Sequence, residues 1–237
     1  MTTHAPFGND PAKIERYRAF WQRAAATRPL VGFSFKSWFP LQEFAASAVW
    51  REGALLTPDM VHPQAFLDDQ ERLLREGEAI DDDILRGACP SQGSVLGEDQ
   101  ALTWDEAERV TLRRDHPWYA TYIDFIDALV ARSAGRYPVS HGTLIGPCDL
   151  AALLRGHSQS IIDLLFEPER AANLLRRMAG VFRQITEDAW RRIPLYHGGY
   201  FDAQYALWAP GPIVRMQEDA SGLYSPALYR QILQPIA

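Results

Sequence analysis

Two cysteines, Cys89 and Cys148, are all the thiol chemistry in this 237-residue chain. So small and unpatterned a set supports neither a disulfide framework nor a structural zinc site, and a reducing cytoplasm is the expected compartment. Basic runs are equally scarce. None exceeds a doublet such as Arg113-Arg114 or Arg191-Arg192, and with a formal net charge of -6 the chain lacks the electrostatic footprint of a nucleic-acid binder. No apolar stretch reaches the length that spans a bilayer, and the leading residues MTTHAPFGNDPAKIERY show no basic region followed by an apolar one. Neither a membrane nor an export signal is therefore expected. Internal repeats and low-complexity tracts are absent too, and Pro and Gly are scattered rather than gathered into a linker.

What is there is ordinary globular material, 47% hydrophobic and 23% charged, long enough for one large domain or two small ones built around a small-molecule site. Apolar spacing predicts a helix over 11–26, with Ile14, Tyr17, Phe20, Trp21, Ala24 and Ala25 as its stripe and Asp10 as its N-cap, then a short strand over 30–35. A second helix over 63–79 precedes Asp81, Asp82 and Asp83, a charge run of the kind that usually forms a solvated turn. Residues 89–115 hold no sustained period and read as irregular connection with one short strand or hairpin.

Organisation sharpens after Asp115. A helix is expected over 117–134, with Trp118, Tyr122, Ile126 and Leu129 on one face and Gly135 as its stop. A strand over 137–147, a helix ending at Gly156, the segment 160–166, a long helix over 168–192 and a strand over 195–201 come next. The last unit runs from Ile213, Val214 and Met216 through Glu218 and Asp219 to a helix with Ser225 as N-cap and Pro226 in first position. Strands alternating with longer helices predict a parallel sheet or barrel.

Three stretches carry candidate chemistry. LYHGGYFDAQYALWAPGP places His197, Tyr200, Asp202 and Trp208 around two glycines at an expected strand end, a setting in which a planar or apolar ligand can stack. The alternative is that these aromatics only pack the loop. His141 and Cys148 flank the Gly146-Pro147 turn and read as a strand-end His and a small packed thiol, with His141 added to the substrate-binding candidates. Glu218 and Asp219 are adjacent on an extended segment, so their side chains point to opposite sides and one of them is expected to face a site. A carboxylate here can hold an N–H, relay a proton or support a cation, or else cap the backbone of residues 220–223.

Taken together, HGTLIGPCDLAALLRGH, DLLFEPERAANLLRRM and QEDASGLYSPALYRQILQP resemble the uroporphyrinogen decarboxylase superfamily over residues 137–237. That superfamily includes the porphyrin-pathway decarboxylases and methyltransferases that work with corrinoid proteins and thiols. The resemblance implies an α/β fold of the (β/α)8 TIM-barrel type. Such a barrel needs about 250 residues, so this one would be truncated at its carboxyl end, with open sheet edges that favour a homodimer. It also implies Asp219 as the principal catalytic carboxylate, with Glu218 beside it.

Departures from the family pattern narrow the implied activity. Arg28-Pro29-Leu30-Val31-Gly32 stands where porphyrin-pathway members carry Arg-Gln-Ala-Gly-Arg, and Leu153 stands where they carry a tyrosine. The arginine forks that a many-carboxylate porphyrinogen requires are thus not all present. No His-x-Cys zinc pair occurs, so no cofactor is expected of this chain itself, and a zinc or corrinoid would belong to a longer parent protein. The implied function is a decarboxylase or methyltransferase acting on a tetrapyrrole, a corrinoid-linked group or a small C1 substrate, with a corrinoid protein as partner. A non-catalytic module that binds a tetrapyrrole or corrinoid partner is the alternative.

Overall fold

The computed structural model describes residues 7–8, 11–24, 28–33, 44–48, 50, 55–78, 80–90 and 99–236. Asp10, residues 25–26 and residues 34–35, on which the expected first cap, helix end and strand end fall, lie outside them. In chain order the elements are α1 (Pro11–Trp21), α2 (Pro63–Glu78), α3 (Trp104–Ala107), α4 (Pro117–Ser133), β1 (Leu144–Ile145), α5 (Pro147–Arg155), α6 (His157–Phe166), α7 (Pro168–Trp190), β2 (Tyr200–Asp202), β3 (Leu207–Ala209), β4 (Met216–Gln217) and α8 (Pro226–Leu228). They fall into two compact units. The first combines Met1–Ser94, Arg114–Gly142 and Ala189–Val214, and the second Val95–Arg113, Thr143–Asp188 and Arg215–Ala237.

In the first unit α2 lies on α4. Phe66, Leu67 and Leu74 recur at helical spacing on α2 and meet Phe125 and Leu129 of α4, with Phe7, Tyr137 and Val139 completing the cluster. The α4 helix starts at Pro117, its Trp118 N–H donating to His116 Nδ1 at 3.2 Å, and stops where Ala134 (φ 46) and Gly135 (φ 76) turn left-handed. A second cluster packs Ile14 and Tyr17 of α1 against Leu85, Phe201 and Trp208.

The acidic run departs from the expected solvated turn. Asp82 and Asp83 are buried. Asp82 accepts from Lys13 Nζ at 3.1 Å, from Arg86 at 2.7 Å and from the Phe33 N–H at 3.1 Å. Asp83 accepts from Arg16 at 2.5 Å, from both terminal nitrogens of Arg28 and from the Val31 N–H at 3.0 Å. Hydrogen bonding to Arg28 holds the Asp83 carboxyl well below the ordinary carboxylate range. The run therefore ties α1 and the segment after it to the chain beyond α2.

The second unit gathers α3, α5, α6 and α7 around Cys148, Ala151, Ala152, Leu164, Leu174, Leu175 and Met178, with Ile232 and Leu233 from the last segment. Arg155 is buried in a fork with Asp163, its Nε donating at 2.7 Å, and lies over the Trp104 ring at 4.4 Å. Ser225 caps α8 as expected, accepting from the Leu228 N–H, and the helix continues as a π turn over Tyr229–Leu233.

A (β/α)8 barrel is not what these elements make. Among the described residues there are two sheets of two strands each, β1 with β4 in parallel and β2 with β3 antiparallel, and no closed sheet. The physical reasons are local. Gly142 (φ 80) breaks the expected strand over 137–147, leaving an isolated bridge at Val139 and a two-residue β1 that Pro147 ends. The expected strand over 195–201 contains a reversal. His197 (φ 49) and Gly198 (φ 77) are both left-handed, and Tyr196 and Gly199 exchange backbone hydrogen bonds at 2.9 and 3.1 Å across them. Two left-handed central residues are the signature of a tight hairpin turn. Pro210 and Pro212, which lack an N–H, come directly after β3.

Candidate functional site

In the second unit, β1 and β4 run side by side with Leu144 opposite Met216 and Ile145 opposite Gln217, so both strands end on the same side. The Gly146 N–H extends the ladder to the Gln217 carbonyl at 2.7 Å. Helix α5 begins there, and Glu218 comes directly after β4. One oxygen of the half-buried Glu218 carboxyl accepts from the Cys148 N–H at 2.9 Å and the Asp149 N–H at 3.4 Å, filling part of the unmet donor set at the start of α5. Asp149 returns the arrangement by accepting from the N–H groups of Asp219 at 3.2 Å and Ala220 at 2.7 Å. Each carboxylate thus caps the segment that carries the other.

The second Glu218 oxygen, Oε1, is buried without a hydrogen-bond partner. Burial, together with the nearby Asp149 charge, raises the pKa of Glu218 in spite of the two backbone donors. Cys148 is buried beside it and burial pushes its thiol up to about 12, while burial also raises Tyr224. Cys148 and Tyr224 therefore hold their protons at neutral pH. Asp219, the expected principal carboxylate, points elsewhere: it is exposed, and its carboxylate accepts from Gln217 Nε2 at 2.5 Å. The backbone of residues 219–220 is capped by Asp149 and not by Asp219.

Gly146 is needed for space. Its φ of -87 suits any residue, but a Cβ there would sit 2.5 Å from the Glu218 carboxyl carbon and Oε1 and 2.7 Å from Met216 Cγ. Gly146→Ala is expected to cost about 1–3 kcal/mol, as overpacking usually does, by pushing Glu218 off the α5 terminus. Urea unfolding checks this. A variant as stable as the parent would mean that the carboxyl has another seat.

The first unit holds all five expected substrate-binding residues. His141 and Asp202 are 2% and 4% exposed, and Oδ2 of Asp202 lacks a hydrogen-bond partner. Burial lowers the His141 pKa and wins over the opposing pull of the Asp202 charge and the Gly142 and Ile213 backbone. Asp202 Oδ1 accepts from the Tyr205 N–H at 2.8 Å in the turn between β2 and β3. Tyr200 stands edge-on to Trp190, ring centres 5.2 Å apart. Trp208 is wholly buried, donates to the Tyr196 carbonyl at 2.7 Å and packs with Tyr17, which makes it core. His197 is exposed at the hairpin tip with its ring edge-on to Tyr196.

Asp149 and Tyr224 belong to this arrangement and were not among the expected site residues. An acid in the first turn of a helix opened by Gly-Pro was the available signal for Asp149, since that place favours carboxylates. Among the described residues no three His, Cys, Asp or Glu side chains converge as metal ligands, and no helix is long and apolar enough to cross a membrane. No protein-family model matches the chain, and no curated protein or solved structure is detectably similar to it.

Proposed function

We propose that the chain is a small-molecule acid–base enzyme that removes a carboxyl group, of the kind found in the uroporphyrinogen decarboxylase superfamily that residues 137–237 resemble, with Glu218 as its proton donor. The observation that carries this reading is the Glu218 carboxyl at the shared end of two parallel strands, one oxygen filled by backbone donors and the other buried without a hydrogen-bond partner. Ligand sites of α/β sheets gather at the carboxyl ends of parallel strands.

Loss of CO2 breaks a carbon–carbon bond and leaves its electron pair on the substrate carbon, which must then take a proton. Glu218 retains a proton further up the pH range than an ordinary carboxylic acid. Oε1 is the oxygen free to deliver it. The carboxylate left behind is held by the Cys148 and Asp149 N–H groups, and solvent returns the proton. A zinc of the methyltransferase kind does not suit these residues, because among the described residues no three His, Cys, Asp or Glu side chains converge to hold one. No step is routed through one.

The test is to offer the chain porphyrinogen carboxylic acids and smaller carboxylic acids in deuterated water. CO2 release with one deuterium on the carbon that lost it is the expected result. Saturable binding without CO2 would replace the enzyme by a tetrapyrrole-binding module. Neither binding nor release would remove the resemblance as a guide to function.

A further inference from the structure

A proton that Glu218 delivers has to be replaced before the next turnover, and two side chains of the second unit stand in a row behind its carboxyl. Cys148, in the first turn of α5, is 1% exposed, so its thiol is shut off from solvent. Tyr224 is half-buried between the turn over Asp219–Leu223 and α8, its N–H donating to the Ser221 carbonyl at 3.0 Å. The Tyr224 hydroxyl donates to the Cys148 sulfur, and the Cys148 thiol donates to the Glu218 carboxyl. Groups from two separate stretches of chain thus make one hydrogen-bonded row, its inner end on Glu218 and its outer end on the less buried Tyr224.

A cysteine that only fills a core packs as a small hydrophobe and needs no polar neighbours. This one has a polar side chain on each of its two hydrogen-bonding roles. A thiol and a phenol each hold one proton to give and lone pairs to receive another, which is the requirement for passing a proton along a row. Burial keeps both protonated at neutral pH, with the Cys148 thiol pushed up to about 12 and Tyr224 raised as well, so neither loses its proton between turnovers. Asp149, the other acid beside Glu218, has both oxygens occupied by the N–H groups of Asp219 and Ala220 and does not belong to the row.

We propose that Tyr224 and Cys148 relay a proton from solvent back to Glu218 after each turnover, an inference that rests on Glu218 being the proton donor. Once Glu218 is a carboxylate, the Cys148 S–H bond breaks as an O–H bond forms on Glu218. The Tyr224 O–H bond breaks as the S–H bond is remade, and Tyr224 takes one proton from solvent. One proton enters, and nothing is oxidised or reduced. The transfers run together, so no thiolate accumulates in its buried place. Both residues act through Glu218 and touch no substrate, which makes them positioning residues for its proton.

The test has a substrate-free arm and a kinetic arm, both on the full chain. Cys89 and Cys148 are its only thiols, so the infrared spectrum of Cys148→Ser assigns their S–H stretching bands. Tyr224→Phe is expected to shift the Cys148 band and leave the Cys89 band in place. The kinetic arm uses the porphyrinogen carboxylic acids of the CO2 assay. Tyr224→Phe should release the first CO2 per chain at the parent rate, since the Glu218 proton is already in place, and then lose about tenfold or more in kcat with kcat/KM unchanged. Cys148→Ala should do the same, and Cys148→Ser, which still donates and accepts, should recover most of the loss. A merely structural role would slow the first and later turnovers alike. That result, an unmoved Cys148 band, or an unchanged kcat in Tyr224→Phe overturns the relay and leaves Glu218 its role. No CO2 from the parent chain removes the Glu218 reading and the relay with it. If the Cys148 variants fail to fold, the kinetics of Tyr224→Phe, which lacks one hydroxyl, decide alone.

Discussion

Asp82→Ala is expected to lower the stability of the first unit by about 3–5 kcal/mol, the cost of removing one partner from a buried ion pair. The side chain is wholly buried, and Lys13, its partner, is 7% exposed on the side chain. Its two oxygens receive Lys13, Arg86 and the Phe33 N–H, while Lys13 also donates to the Ile84 carbonyl at 2.8 Å. Without the carboxylate, two cations would face each other in a desolvated place and a backbone donor would lose its acceptor. Burial opposes ionisation of Asp82, but Arg86, the Phe33 amide and Lys13 together hold its pKa below the ordinary value. A depressed folded pKa gives stability that is present above the unfolded pKa and lost as pH falls through the folded one. The stability advantage of the parent chain over Asp82→Ala should therefore shrink on acidification, as pH falls through the folded pKa of Asp82. Thermal unfolding followed by circular dichroism should show a shift on the order of 10 °C. A change within about 1 kcal/mol would mean that the pair behaves as a solvated surface bridge.

What could be read from the sequence was what neighbours in the chain decide. Ser225-Pro226 at a helix start, Gly135 and Gly156 at helix ends, and the apolar spacing of 117–134 and 168–192 are local patterns, and the structure has helices there. The acidic run could not be read, because its partners lie far off in sequence: Lys13, Arg16 and Arg28 are each more than fifty positions from the carboxylate they meet. The hairpin at His197 was hidden for another reason. A histidine in a left-handed tight turn gives no warning of the kind that Asn-Gly does, so LYHGGYFD looks like one strand when it is a reversal and a second strand. The barrel came from the resemblance, with the alternation of strands and helices in its favour, and alternation fails once a strand folds back on itself. Of the candidate residues, the pairing of His141 with Asp202 needed the β2 hairpin. The choice between Glu218 and Asp219 needed the parallel register of β1 and β4, since sequence shows only that the two point apart.

That choice is open to direct measurement. Glu218→Gln is expected to lower turnover by about 10²–10⁴-fold, the usual contribution of a positioned proton donor, with little change in KM. The glutamine keeps a carbonyl oxygen for the Cys148 N–H, so the α5 cap survives while the transferable proton is gone. Stability should move the other way. The folded pKa of Glu218 is raised, so its contribution is fully present below the unfolded pKa and is lost as pH rises through the folded value. The stability of the parent chain relative to Glu218→Gln should accordingly fall with rising pH across that window and level off above it. A residue whose neutralisation removes turnover and also relieves a pH-dependent cost is held in place against the preference of the fold, as proton donors commonly are. If Asp219→Asn ends turnover and Glu218→Gln does not, Glu218 is a helix cap and Asp219 carries the chemistry from its exposed position beside Gln217.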